Sequence, residues 1–245
     1  MKVKIIRVIC IIVFIISSVG LIRFFSSYKQ VEQELQQIQE VYEQAQQAMP
    51  IEEAAISAKF IELQKINTDI VGWLQLNDSQ LNNPVVQNDN NEFYLQHNYV
   101  GEKSRAGSIF MDYRNDTNAR HTILYGHVMR NGTMFGELAK FAKQHYAEEH
   151  PYFVYETPSA TYHLEVFAAY ETTTDFYYIE TEFTEQSYAA FLQTIQQKSA
   201  IHMPVDVTTN DRIFTLSTCT TSPNDNERFV VHTKLVAQNK HEKES

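Results

Sequence analysis

Only two cysteines, Cys10 and Cys219, occur in 245 residues, too few for a disulfide-stapled scaffold. Basic residues are also short: 20 Lys and Arg face 30 Asp and Glu, a formal net charge of −10. No basic stripe crosses the globular part, so nucleic acid is excluded as a partner and the acidity is a matter of solubility. Seven glycines and six prolines leave no low-complexity linker, and no internal repeat is present. His97, His121, His145, His150, His163, His202, His232 and His241 read as structural or solvent-facing and show no metal-ligand spacing. Of these, His145 and His150 around Glu148 and Glu149 read as a solvated helix end rather than a zinc site. Neither a metal nor a cofactor is expected. The length accommodates one domain of about 170 to 190 residues plus an anchoring region, and no second catalytic domain.

One long hydrophobic run is present, and it decides the compartment. Lys2, Lys4 and Arg7 precede Val8 to Ile22, a stretch without a charge. Ile5 and Ile6 before it and Phe24 and Phe25 after it extend the span toward membrane thickness, with Arg7 and Arg23 snorkelling to the headgroups. The positive flank places the N-terminus inside, which predicts a single-pass cell-membrane protein with an extracellular globular part. A cleaved signal peptide is the alternative; Ser17-Ser18-Val19-Gly20 is its nearest imitation of a cleavage site, and the uncleaved signal anchor is the reading adopted. Cys10, inside the run, reads as a small hydrophobe and lies too far from Cys219 for a disulfide.

From Tyr28 to Ala48 the chain is rich in Gln and Glu, with Val31, Leu35, Ile38, Val41 and Tyr42 at helical spacing. This predicts a helical stalk ended by Pro50; its seam of under three heptads is short for a coiled coil with a partner. A second helix is expected over Ile51 to Ile66, with Ile51, Ala54, Ala55, Ala58, Ile61, Leu63 and Ile66 facing the globular part. Eight short strands follow: Ile70 to Leu76, Pro84 to Gln87, Ser108 to Met111, His121 to Tyr125, Tyr152 to Glu156, Ala160 to Tyr170, Arg212 to Ser217 and Phe229 to Ala237. Helices are expected at Asn91 to Leu95, Met134 to Ala142 and Glu185 to Ser199, the last opened by Thr184. Eight strands in a domain of this size predict a mostly β, closed barrel. The expected organisation is membrane anchor at 1–27, helical stalk and N-terminal helix at 28–66, barrel at 67–238 and polar tail at 239–245.

The chemistry concentrates at three strand ends. Cys219 closes the run Arg212 to Thr218, and the turn-rich Thr221 to Asn226 precedes Arg228, which opens the next apolar run. Two strands joined by that loop bring thiol and guanidinium to one rim. A lone cysteine is more often packing than nucleophile, and a thiol with an ordinary pKa of about 8.5 needs a proton partner. His127, directly after Tyr125-Gly126 at another strand end, is the candidate. Cysteine can form a thioester with a peptide carbonyl, histidine can protonate the departing amine, and arginine can hold the oxyanion or the substrate backbone. Asp112 reads as a turn partner for Tyr113-Arg114-Asn115, while Tyr177 and Tyr178 could be core aromatics.

Tyr125-Gly126-His127, then Asn131 to Phe135 with Leu138, then Thr215-Leu216-Ser217-Thr218-Cys219 and Arg228 to Val231, resemble the sortases, cysteine transpeptidases of Gram-positive cell surfaces. Gly107 to Asp112 and Asn91 to Tyr99 extend the resemblance, which runs from about Ile70 to Val236 and is best to class B. It implies an eight-stranded β-barrel of the sortase type with N-terminal helices and a long helix before the cysteine strand. It implies Cys219, His127 and Arg228 as the catalytic set. The implied reaction cuts a C-terminal sorting motif of a secreted protein after threonine, then transfers the acyl group to an amine of the peptidoglycan precursor. Motifs of the Asn-Pro-x-Thr-Asn or Asn-Pro-x-Thr-Gly kind are implied by class B. Carried over by position, Asn91, Leu95, Tyr125, Thr174, Tyr178, Ile179 and Ser217 would line the substrate groove. Many class B members have an acidic residue after the cysteine; Thr220 stands here, so that carboxylate contact is not carried over. A pilin-polymerising sortase and a cysteine endopeptidase without transfer are the neighbouring alternatives. A papain-like peptidase would place its cysteine on a helix ahead of the histidine, the reverse of this order. In a non-catalytic adhesin, Cys219 and His127 would be incidental and replaceable.

Overall fold

The computed structural model describes residues 2–47, 52–116, 118–219 and 226–240. Pro50, the expected helix stop, lies outside them, as do Ile51, Thr220 and loop positions 221–225.

The chain divides into two compact units, residues 1–37 and 38–245. The first consists of most of a single uninterrupted helix, α1 (Lys2–Gln47), which runs through the residues expected as membrane span and helical stalk. Nothing between Phe25 and Tyr28 breaks a helix, so propensity carries the backbone through. Ile6 to Phe25 present exposed apolar side chains, Phe14 being 72% exposed. Among the described residues this is the one helix long and apolar enough, by length and composition, to cross a membrane.

In the second unit eight strands close a barrel in the order β1-β2-β3-β4-β7-β8-β6-β5. They are β1 (Ile70–Leu76), β2 (Asn82–Val86), β3 (Ile109–Met111), β4 (His121–Gly126), β5 (Tyr152–Glu156), β6 (Ala160–Thr173), β7 (Ile213–Cys219) and β8 (Glu227–Lys240). The β2–β3 and β4–β7 pairs are parallel and the others antiparallel. Closure through β1–β5 removes the free edges that an open sheet would expose. Gly72 in β1 allows the closure to be tight, because a Cβ there would sit 2.3 Å from the Tyr155 ring of β5.

Two helical segments cover one side. Ile38 and Tyr42 of α1 are buried with Phe60 and Leu63 of α2 (Glu52–Ile66) against Ile70, Trp73 and Phe110. The Tyr42 ring stacks on Trp73 with centroids 4.1 Å apart. The expected inner face of α2 is corrected: Ile61 is 57% and Ile66 40% exposed, while Lys59, Phe60 and Leu63 are buried. The cause is Lys59, whose ammonium pairs with Glu156 at 3.0 Å and lies 4.2 Å over the Tyr42 ring. Tyr42 donates to the same Glu156 carboxylate at 2.7 Å, so the buried charge is paired and hydrogen-bonded. An apolar count along the sequence does not register a lysine as an inward residue.

On another side α4 (Glu185–Lys198) buries Tyr188, Phe191, Leu192 and Ile195. These pack with Phe167 and Tyr170 of β6, Ile213 of β7 and Val230 of β8. Thr184 and Ser187 form a reciprocal capping box that fixes the start of α4. The other two expected helices are corrected to shorter turns. At the first, a 3-10 turn covers only Phe93–Leu95, because the Asn90 side chain accepts from the Glu92 and Phe93 amides and caps it late. At the second, Met134 takes a left-handed φ of 54°, so helical backbone begins at Leu138 and is followed by α3 (Gln144–Glu149).

Candidate active site

The parallel pair β4–β7 sets the site. Its register matches Tyr125 with Ser217 and Gly126 with Thr218, so His127 and Cys219 each follow one residue beyond the last matched pair. On the far side of β7 the register places Cys219 opposite Arg228 of β8. Three strand ends thus converge through backbone pairing alone; the Cys219 side chain lies outside what is described. Gly126 is required between Tyr125 and His127, since a Cβ there would meet the Phe135 ring at 2.9 Å and Ile109 at 3.3 Å.

The segment Asn131 to Phe135 turns back on His127. Gly132, at φ 88°, closes a turn on Met129, and the Phe135 amide donates to the His127 carbonyl at 3.0 Å. The imidazole is fixed from the other side: Nε2 lies 2.8 Å from the Leu95 carbonyl, which can only accept. Nε2 therefore carries hydrogen, and Nδ1 is the nitrogen this bond leaves for proton exchange. A backbone carbonyl performs the orienting task that a carboxylate performs in many other dyads. Arg228 donates from Nη1 to the Glu227 carbonyl at 2.8 Å.

A cavity of about 390 Å³ opens beside these strand ends. His127, Arg228, Tyr125 and Ser217 line it from the barrel, and Asn91 and Leu95 from the turn after β2. Thr174, Tyr178 and Ile179 line it from the segment joining β6 to α4. Phe110, Gly126, Phe176, Tyr177 and Thr218 complete the lining and were not singled out as groove residues from the sequence. The clue for Phe110 was its place in the strand beside Tyr125, on whose ring it packs with centroids 5.2 Å apart. Tyr178 joins the two walls through a 2.8 Å hydrogen bond with the Ser217 hydroxyl. A second cavity of about 480 Å³ lies toward the opposite ends of β4 and β7, near Thr122 and Phe214, and shares no lining residue with the first. It is lined by no histidine, whereas the smaller cavity has His127 and Arg228 in its lining and Thr218, the residue before Cys219. Among the described residues no cluster of His, Cys, Asp and Glu could hold a metal ion.

Asp112 is fully buried below the groove. Its burial is opposed by hydrogen bonds from Arg114 and Tyr125, which hold the carboxyl below the usual carboxylate range. Behind β7 runs a second polar chain. His121 Nδ1 lies 2.6 Å from the Glu180 carbonyl and Nε2 2.6 Å from Thr215 Oγ1, which lies 2.7 Å from His232 Nδ1. His232 Nε2 completes it, 2.9 Å from the Tyr170 hydroxyl. Because the Glu180 carbonyl must accept, every direction follows: Tyr170 donates to His232, His232 to Thr215, Thr215 to His121 and His121 to Glu180, with both rings neutral.

Burial pushes His121 down to about 4 and His232 well below the ordinary histidine range. The unfolded chain therefore binds protons that the folded chain refuses. The stability this contributes is complete above about pH 6.5 and is lost as pH falls toward 4, amounting to about 3 kcal/mol for His121 alone. Circular dichroism melts should show Tm falling across that window and a shallower slope for His121→Gln. A wild-type Tm that stays flat from pH 6.5 to 4 contradicts the neutral chain.

Comparison with known proteins agrees with this geometry. The sortase domain family model matches residues 74–236. Sortase B of Listeria monocytogenes is 47% identical over 181 residues, covering 72% of this chain and 74% of that protein. The solved Staphylococcus aureus sortase B–substrate complex superposes with a TM-score of 0.80 at 38% identity, covering 86% of this chain and 98% of that one. Sortase B from B. anthracis gives a TM-score of 0.79 at 44% identity, covering 86% and 99% respectively. With two thirds of its length matched by the family model and 86% of it covered by solved sortase B relatives, the chain belongs to the sortase family of cysteine transpeptidases, among the class B members.

Proposed function

We propose that this sortase is a single-pass membrane protein with its barrel outside the cell, and that it anchors secreted proteins to the cell wall through Cys219, His127 and Arg228. The observation that carries the reading is the register in which Cys219 lies opposite Arg228 and one step past Gly126–Thr218, with Thr218, Arg228 and His127 all lining one cavity. The Cys219 thiolate attacks the threonine carbonyl of the sorting motif and a carbon–sulfur bond forms. The tetrahedral oxyanion is held by the Arg228 guanidinium. Collapse breaks the peptide carbon–nitrogen bond, and the departing amine takes its proton from His127. An amine of the peptidoglycan precursor then attacks the thioester, loses its proton to His127 and releases the thiolate. The apolar run of α1 serves as the anchor, its basic N-terminal flank inside.

For the substrate, an Asn-Pro-x-Thr motif is the reading. The chain's place among the class B sortases supports it, and Asn91, Tyr125, Thr174, Tyr178 and Ser217 set hydroxyls and an amide in an otherwise apolar lining, where a polar first residue finds partners that a leucine cannot use. A competition between matched Asn-Pro-x-Thr and Leu-Pro-x-Thr peptides, with a short peptide amine as acceptor, tests it. The asparagine peptide should be cleaved at least tenfold faster and joined to the acceptor. Equal or faster use of the leucine peptide overturns the motif while leaving the transpeptidase. Cleavage without joining would leave an endopeptidase.

A further inference from the structure

We infer that the Asp112–Arg114 ion pair is a spacer that fixes the width of the substrate groove, which makes Arg114 a positioning residue for motif recognition. The inference rests on the groove reading above. The Asp112 carboxylate accepts five hydrogen bonds. Oδ1 takes the Arg114 amide at 3.0 Å and Nε at 2.8 Å; Oδ2 takes Arg114 Nη2 at 2.7 Å, Asn91 Nδ2 at 3.0 Å and the Tyr125 hydroxyl at 2.9 Å. Asn91 is locked at its other end, because Oδ1 accepts the Tyr113 amide at 3.0 Å. One wall of the groove therefore hangs on the carboxylate.

The opposite wall hangs on the guanidinium. Arg114 Nη2 donates to the Ile179 carbonyl at 2.9 Å and Nη1 to the Tyr177 hydroxyl at 3.1 Å. From Tyr177 to Thr184 the backbone forms neither strand nor helix, so no ladder of hydrogen bonds holds this wall in place. Its position depends on apolar packing of Phe176, Tyr178, Ile179 and Phe183 and on side-chain hydrogen bonds, among them two from Arg114 and one each from His121 and Tyr178. Only a planar fork can grip both carboxylate oxygens and still reach a carbonyl and a hydroxyl 65 and 63 residues away in the chain. The Arg114 side chain is 26% exposed but its partner Asp112 is fully buried, so removing the guanidinium both leaves a buried carboxylate without its counter-ion and releases the wall it ties. Loss of the tie is therefore distinguished from a general loss of stability by where exchange accelerates and by the change in substrate recognition.

The test uses the full chain in detergent micelles, with Arg114→Met and Arg114→Lys. For the Asn-Pro-x-Thr peptide, KM should rise at least tenfold with kcat within threefold, because Arg114 touches no reacting atom. The preference over the leucine peptide should fall at least fivefold. Lysine should restore neither, since one ammonium cannot make the four contacts at once. Hydrogen exchange of amides 176–182 should accelerate at least tenfold, with 185–198 unchanged. Wild-type KM and preference in either variant overturns the proposal, as does unchanged exchange at 176–182 or an acceleration spread over the whole barrel, which would make the pair a general fold contact. If the wild-type chain cleaves neither peptide, the functional reading fails, and the exchange measurement alone decides the spacer.

Discussion

Cys219→Ala is expected to abolish both cleavage and transfer, a loss of all measurable turnover rather than a reduction. In the proposed mechanism the thiolate forms the acyl bond, and the neighbouring hydroxyls of Ser217 and Thr218 are buried in β7 and far weaker nucleophiles than a thiolate. Cys10→Ala should leave the rates unchanged, because Cys10 lies on the apolar stretch of α1 and not on the barrel. Product formation followed by chromatography checks both. Cleavage by Cys219→Ala at more than about one per cent of the wild-type rate would remove the nucleophile assignment.

The second large effect belongs to Arg228. Removing one oxyanion donor costs about 10²- to 10³-fold in kcat, and Arg228→Ala should fall in that range. Arg228→Lys keeps the charge and loses the planar fork, so it too should remain strongly impaired. His127→Ala should fail differently: without a proton donor the amine does not depart, so the thioester should not accumulate even over long incubation. Single-turnover kinetics separate the two, with a slow but complete acylation in Arg228→Lys and none in His127→Ala. Near-normal turnover by Arg228→Lys would show that charge alone suffices there.

Much of the barrel was legible from the chain because strand periodicity and turn residues agree locally. The bounds of β1 and β5 match the expected ones, and β4 and β7 differ by one or two residues. The end of β6 and the start of β8 were missed because Thr172 and Thr173 pair with Arg228 and Glu227, a polar ladder with no alternation to announce it. The inward Lys59 was hidden for a related reason: its place depends on Glu156 and Tyr42, each remote in sequence. In the site, residues next to the reactive strand ends could be placed by position. The Asp112–Arg114 pair could not, because its local pattern is that of an ordinary turn and its ties run to Asn91, Tyr177 and Ile179. Tyr177, a candidate core aromatic from sequence, is 54% exposed and belongs to the groove. His121 and His232 were read as structural or solvent-facing, and their full burial in one hydrogen-bonded chain places them in the first class.

The central claim is that peptide cleavage passes through a thioester on Cys219. Mixing the full chain with an Asn-Pro-x-Thr peptide in the absence of any amine acceptor, then quenching in acid and measuring intact mass, tests it directly. The account predicts an adduct with the mass of the acyl fragment ending in threonine, mapped to the Cys219 peptide and released by hydroxylamine. An adduct on another residue, or continued cleavage with no adduct at any time after mixing, would contradict it.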